Sequence, residues 1–225
     1  MRGYARAIRY RYSPRIIREG LVLWLPLWNS ELSESTFKSK DDYHQSCVVT
    51  DATWGIYGRT FNGSSAFIAC GDTPSVTDNV SVCAWIYAAD YSGNYLIVVG
   101  GDDDNAPFQL RTNSTNKKIE FCINAGGNRA IGATALVNGT WNFVCGTFDK
   151  ALASNEIKLY LNGNATPDGQ ASHNTSISTT DSLYIGKRDN EKYWSGRISE
   201  VLIYNRTLSL VEIIHNYNAT KFRYA

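Results

Sequence analysis

The sequence predicts an all-β protein: a two-sheet antiparallel β-sandwich with a short C-terminal helix. Three observations predict it. Short runs rich in Val, Ile, Phe, Tyr and Trp alternate with Gly, Asn, Asp and Ser turns at a spacing of roughly 8–12 residues. Helical periodicity is confined to one stretch near the end. With 43% of 225 residues hydrophobic, the chain can bury one sizeable core, and sandwiches of this length form single domains.

Taken in order, strands are predicted at 20–27, 46–50, 59–61, 66–70, 80–88, 95–100, 108–112, 118–124, 130–135, 141–148, 156–161, 182–186 and 196–204. The dipeptides Asn62-Gly63, Asn138-Gly139 and Asn162-Gly163 mark tight turns, because Asn and Gly tolerate positive φ. Helix is predicted over 208–217, where Leu210, Ile213, Ile214 and Tyr217 recur at three- and four-residue spacing behind a Thr207 or Ser209 cap.

The charge is uneven. Residues 1–19 hold six arginines (Arg2, Arg6, Arg9, Arg11, Arg15 and Arg18) against Glu19, while 20–225 holds 16 Lys and Arg against 20 Asp and Glu. A basic arm thus precedes an acidic body, giving two units: the arm, 1–19, and one domain, 20–225. Tyr4, Ile8, Tyr10, Tyr12, Ile16 and Ile17 interleave with those arginines, a mix suited to gripping a neighbouring protein subunit. Nucleic acid is the weaker rival partner. The arm lacks an apolar run long enough for a signal-peptide core, and no stretch is apolar enough to span a bilayer.

Cys47, Cys70, Cys83, Cys122 and Cys145 form no CxxC pair and do not cluster with the three histidines, which argues against zinc. Three of them stand inside apolar strand-like runs, so buried free thiols are expected. Eight Asn-x-Ser/Thr sequons, beginning at Asn62, Asn79, Asn113, Asn138, Asn164, Asn174, Asn205 and Asn218, permit glycosylation.

Several motifs in order carry a family resemblance over about residues 20–217. They are GLVLWLPL at 20–27, GRTFNGSS at 58–65, VSVCAWI at 80–86, WNFVCGTFD at 141–149, IKLYLNG at 157–163, LYIG at 183–186 and WSGRISEVLIYNRTLS at 194–209. Together they resemble the laminin-G-like, concanavalin A-like jelly rolls, which implies that fold and a surface-binding role. The family's closing signature commonly has an acidic pair where this chain has Ser199-Glu200.

Fold alone does not fix function, so each site is judged on its chemistry. A glycosidase on this sandwich needs two carboxylates placed together on one strand face, and no strand here carries alternating acids. No nucleophile elbow accompanies His44, His173 or His215. Asp102, Asp103, Asp104 and Asn105 offer the oxygen ligands calcium takes, without the glycine and distal Glu of an EF-hand. A solvated acidic turn is the expected reading there; calcium is the ion it would take, and no cofactor is required. Trp24, Trp85 and Trp141 are expected in the core. Tyr91, Asn94, Tyr95, Arg188, Asp189, Asn190, Tyr193 and Trp194 combine aromatic faces with polar side chains near loops, the pattern of a glycan site.

The resulting expectation is a non-enzymatic jelly roll, anchored by its arm in an assembly and presenting a carbohydrate- or receptor-binding surface. A basic arm without an export signal, leading into a lone module, also resembles virion surface proteins. A free extracellular lectin is the first alternative and a sandwich glycoside hydrolase the second.

Overall fold

The computed structural model describes residues 15–72, 74–92, 96–101, 106–113, 115–124, 127–177, 182–188 and 192–224. Its strands are β1 (Leu21–Pro26), β2 (Thr36–Lys38), β3 (Ser46–Thr50), β4 (Thr53–Gly55), β5 (Gly58–Asn62), β6 (Phe67–Asp72), β7 (Asn79–Tyr87), β8 (Leu96–Gly100) and β9 (Phe108–Thr112). They continue as β10 (Lys118–Ile123), β11 (Arg129–Ala135), β12 (Trp141–Asp149), β13 (Ile157–Leu161), β14 (Gly169–Ala171), β15 (Ser182–Ile185), β16 (Lys187–Arg188), β17 (Lys192–Tyr193) and β18 (Ser195–Tyr204). Among the described residues there is one α-helix, α1 (Leu210–Thr220).

The first sheet runs β14-β13-β12-β7-β18-β5-β4, with β1 also paired to β18; the second runs β11-β10-β9-β8-β15-β6-β3-β2. The β16–β17 ribbon stands apart. All pairings are antiparallel, and the two sheets enclose the jelly-roll core. Alternation sets its membership: Val80, Val82, Ala84 and Ile86 of β7 face inward toward Phe108, Leu110, Phe121 and Ile123 of the second sheet.

The other face of the first sheet is covered too. Cys83, Trp85, Phe143, Cys145, Leu202 and Tyr204 form a second apolar layer under α1, packed by Ile213, Leu210 and Tyr217. That double burial is why β7 and β12 read as nearly continuous apolar runs and not as alternating ones. The helix is capped by Ser209, not Thr207: its side chain accepts from the Glu212 backbone N–H, and Glu212 returns the bond.

The free-thiol expectation needs correction for two of the five cysteines. Cys83 and Cys145 stand directly opposite in the β7–β12 register, 4.1 Å apart at Cα, and are joined as a disulfide. Sixty-two residues separate them in sequence, and only strand pairing brings them together. Cys47, Cys70 and Cys122 are free and buried, as expected.

One irregularity positions the site described next. Ile198 and Val201 of β18 both point into the core, which a regular strand forbids at a spacing of three. A β-bulge between Ile198 and Glu200 absorbs the extra residue and sends both Ser199 and Glu200 to the outer face. There β18 also exchanges one partner for another, β5 before the bulge and β1 after it.

Candidate functional site

An open cleft of about 230 Å³ lies over that bulge, lined by Trp28, Ile56, Tyr57, Ser199, Phe222, Arg223 and Tyr224. Each wall has a local cause. Ile56 and Tyr57 are the two-residue loop of the β4–β5 hairpin, where Gly55 pairs with Gly58. Gly58 takes φ +113°, and a Cβ there would stand 2.5 Å from the Ile198 carbonyl oxygen, so only glycine lets this hairpin close onto β18. Trp28 follows β1, held beside the bulge by the Leu27 N–H donating to the Ser199 carbonyl at 2.8 Å. The buried Arg59 guanidinium ties these walls together, donating to the carbonyls of Ala52, Leu32 and Glu34.

The third wall is the turn after α1. Tyr224 is pinned by its hydroxyl, which donates to Ser199 Oγ at 2.8 Å, and by rings at 4.2 Å (Trp85) and 4.8 Å (Trp141). Arg223 is then laid flat over the Trp28 ring at 3.5 Å. Ile56, Tyr57 and Phe222 remain 71%, 48% and 54% exposed, large apolar groups gathered at one mouth.

Beneath the cleft sits Glu200, 2% exposed. One carboxyl oxygen accepts from Trp24 Nε1 at 2.8 Å; the other has no partner among the described residues, and neither has Trp28 Nε1. Burial pushes the Glu200 carboxyl up to about 7, against the opposing pull of the Trp24 N–H and of Arg223.

The residues singled out from sequence fall elsewhere. Tyr91 and Trp194 are fully buried, which corrects their assignment to a ligand surface. Their rings meet at 6.2 Å within the core, and the Tyr91 hydroxyl accepts from the Ala88 N–H and donates to the Thr140 carbonyl. Burial pushes that phenol up to about 12. Tyr193 is half-buried in β17. Arg188 is buried in β16, within electrostatic reach of Cys122 together with Arg111, Glu120 and Arg129. Asn94, Tyr95, Asp189, Asn190 and the calcium candidates Asp102, Asp103, Asp104 and Asn105 lie outside the described residues, as do Arg2, Arg6, Arg9 and Arg11.

The outer face of the second sheet is more closed. Register places Arg129, Cys122, Gln109, Val99 and Tyr184 in one row across it. Lys187 stands 4.3 Å over both the Phe67 and the Tyr184 rings. Glu120 is the one acid in β9, β10 and β11, and is paired with Arg111 at 2.8 Å. A second open cleft, of about 300 Å³, is lined by Val22, Tyr43, Gln45, Pro74, Ser75 and Asn205, with one aromatic ring and no charged group.

Residues 15–18 pack against α1, β1 and β18. Ile16 is buried, the Ile17 N–H donates to Asn216 Oδ1, and the Tyr204 hydroxyl donates to the Ile17 carbonyl. His215 Nε2 lies 2.7 Å from the Arg15 carbonyl oxygen. Arg18 stacks 4.4 Å over Trp24 and donates to the Lys40 carbonyl.

Of the cleft residues the sequence marks Ser199 alone, as half of a pair that departs from the closing signature and not as a ligand site. Two large apolar residues between glycines at 55–58, and the basic-aromatic close at 221–224, were the available signals.

Comparison with known proteins agrees with the fold. Mouse (Mus musculus) pentraxin-related protein PTX3 is 25% identical over 153 residues, covering 62% of this chain and 39% of its own. The chain thus spans about two-fifths of that relative. Domain 4 of the extracellular arabinanase AbnA from Geobacillus stearothermophilus, solved with arabinotriose, superposes with TM-score 0.62 at 17% identity, covering 89% of this chain and 100% of that one. Trypanosoma rangeli sialidase, solved with sialic acid, gives 0.65 at 15% identity over 91% of this chain and 33% of that one. At such identities these two likenesses speak for the fold alone. The concanavalin A-like lectin/glucanases superfamily matches residues 62–214, two of every three residues here, and to that family the chain belongs.

Proposed function

We propose that the protein is a non-enzymatic binding module whose bulge-side cleft takes a glycan. The observation that carries this reading is the cleft lining. Trp28, Tyr57, Phe222 and Tyr224 offer aromatic surface for the apolar faces of a sugar, and Arg223 and Ser199 supply polar groups at its edge. That AbnA domain 4 was solved with arabinotriose, and the sialidase with sialic acid, supports sugar as the ligand class. The lining supports binding over hydrolysis: among the described residues none of the seven that line the cleft is acidic, and the carboxyl found beneath it is that of Glu200.

Glycan-array binding of the fluorescently labelled full-length chain tests this. Trp28→Ala and Tyr57→Ala are expected to weaken the bound glycan at least about tenfold, as losing a stacking platform does. Tyr57, being half exposed, should change stability by no more than about 0.5 kcal/mol. Unchanged binding in both variants would remove the cleft from the account.

The arm is proposed as the anchor to neighbouring subunits, with the surface of a virion as its setting and a free extracellular lectin as the alternative. The burial of Ile16 and the Ile17 N–H bond to Asn216 of α1 support a fixed junction between arm and domain. Removing 1–14 while keeping 15–225 is expected to abolish oligomers or particle attachment in light scattering and to leave glycan affinity unchanged. Oligomers that survive the truncation would make the arm incidental.

A further inference from the structure

Resting on the reading of the cleft as a glycan site, we infer that it selects a sugar terminus bearing a carboxylate, held by the Arg223 guanidinium. Arg223 is the one charged side chain among the seven lining residues. Its flat face is taken by Trp28 at 3.5 Å, and it makes no ion pair or hydrogen bond among the described residues. A guanidinium stacked in this way keeps its N–H edge for a planar acceptor, and a carboxylate matches that edge with two parallel bonds.

Each of the other polar groups of the lining can donate: the Ser199 and Tyr57 hydroxyls, which also accept, and the Trp28 indole N–H, which only donates. Trp28 Nε1 has no partner among the described residues, and Ser199 Oγ, which already accepts from Tyr224, has its own hydrogen to give. A donor-rich lining calls for an acceptor-rich ligand. At about 230 Å³ the cleft has room for a terminal sugar ring.

Glu200 shapes this preference from below. Protonated, it leaves the field of Arg223 to the ligand; ionised, it draws that field inward. The charged and titratable groups facing it are Arg223 and Tyr224 of the C-terminal turn, Tyr204 of β18, and Arg18 stacked on its hydrogen-bond donor Trp24. Burial pushes both phenols well above their ordinary range, so neither ionises near neutrality. Of this group only Glu200 changes charge near pH 7. Affinity for an acidic sugar therefore falls as pH rises through about 7.

The experiment is calorimetric titration of the full-length chain with sialyllactose and with lactose, at pH 6 and pH 8. Sialyllactose is expected to bind at least about tenfold tighter than lactose at pH 6, the scale of charged hydrogen bonds, and less tightly at pH 8. Arg223→Gln is expected to erase the difference between the two sugars, and Arg223→Lys, which keeps charge without the planar fork, to fall between. A thermal midpoint and a near-ultraviolet circular dichroism spectrum close to those of the parent, the latter reporting Tyr224 against Trp85 and Trp141, show that the turn still folds in these variants. Equal affinity for both sugars in the parent chain would overturn the carboxylate preference while leaving the glycan site standing. Failure of both sugars, and of every sugar on an array, would overturn the underlying reading instead.

Discussion

Glu200→Gln is expected to make the protein more stable in alkaline solution and to leave it unchanged in acid. In the folded chain this carboxyl is 2% exposed and pushed up to about 7, whereas an unfolded glutamate titrates near about 4.3. Between these values the folded state holds a proton that the unfolded state has lost, so stability declines with rising pH. The contribution is fully present below about pH 4.3, is lost as pH passes through about 7, and is absent above it. The whole span is about 4 kcal/mol, on the order of 8–16 °C in melting temperature for a chain of this size. Glutamine copies the shape of the protonated acid and cannot ionise. Melting curves of both proteins from pH 4 to pH 9 should therefore coincide at the acid end, diverge between about pH 4.3 and 7, and stay apart above that, with the variant higher. Parallel curves across that range would mean that the buried carboxyl is already compensated when ionised.

The second large effect concerns a residue whose sequence context misleads. Trp194→Ala is expected to cost about 3–5 kcal/mol, the usual loss when a large aromatic side chain is removed from a closed core. Trp194 is fully buried against Tyr91 in the sandwich interior, and little around it can collapse into the space. Denaturant unfolding measures the loss. Glycan affinity per folded molecule should stay at the parent value, because the ring has no exposed face to offer. A stable Trp194→Ala protein that has lost its ligand would restore this tryptophan to the recognition surface.

These two residues show how far the sequence could be read. Long strands such as β7, β12 and β18 were legible because both faces are buried, one in the core and one under α1, so apolar residues run almost unbroken. The three-residue strands β2, β4 and β14 were missed, since so short a segment has no alternation to detect. The ribbon strands β16 and β17, two residues each, were beyond any periodic signal. Trp194 was misplaced because it precedes a strand amid Lys192, Tyr193 and Ser195, where local polarity suggests a loop, while its side chain points into the core. The Cys83–Cys145 bond depends on strand register, which spacing in sequence does not encode.

The cleft was illegible for a related reason. Its residues come from the turn after β1, the β4–β5 hairpin, the bulge in β18 and the turn after α1, four segments with no common local pattern. What joins them is the bulge at Ser199-Glu200. The sequence did mark that pair as unusual, without showing that both side chains leave the core on the same face.

The measurement that tests the account most directly is a nitrogen–proton correlation spectrum of the full-length protein, recorded during titration with the best glycan from the array. The account predicts shifts at the Trp28 indole N–H and at the amides of Ile56, Tyr57 and Arg223, with the second-sheet row through Arg129, Cys122 and Gln109 unmoved. Shifts confined to that second-sheet row, or to Arg188 and Tyr193 beside it, with the cleft silent, would contradict it.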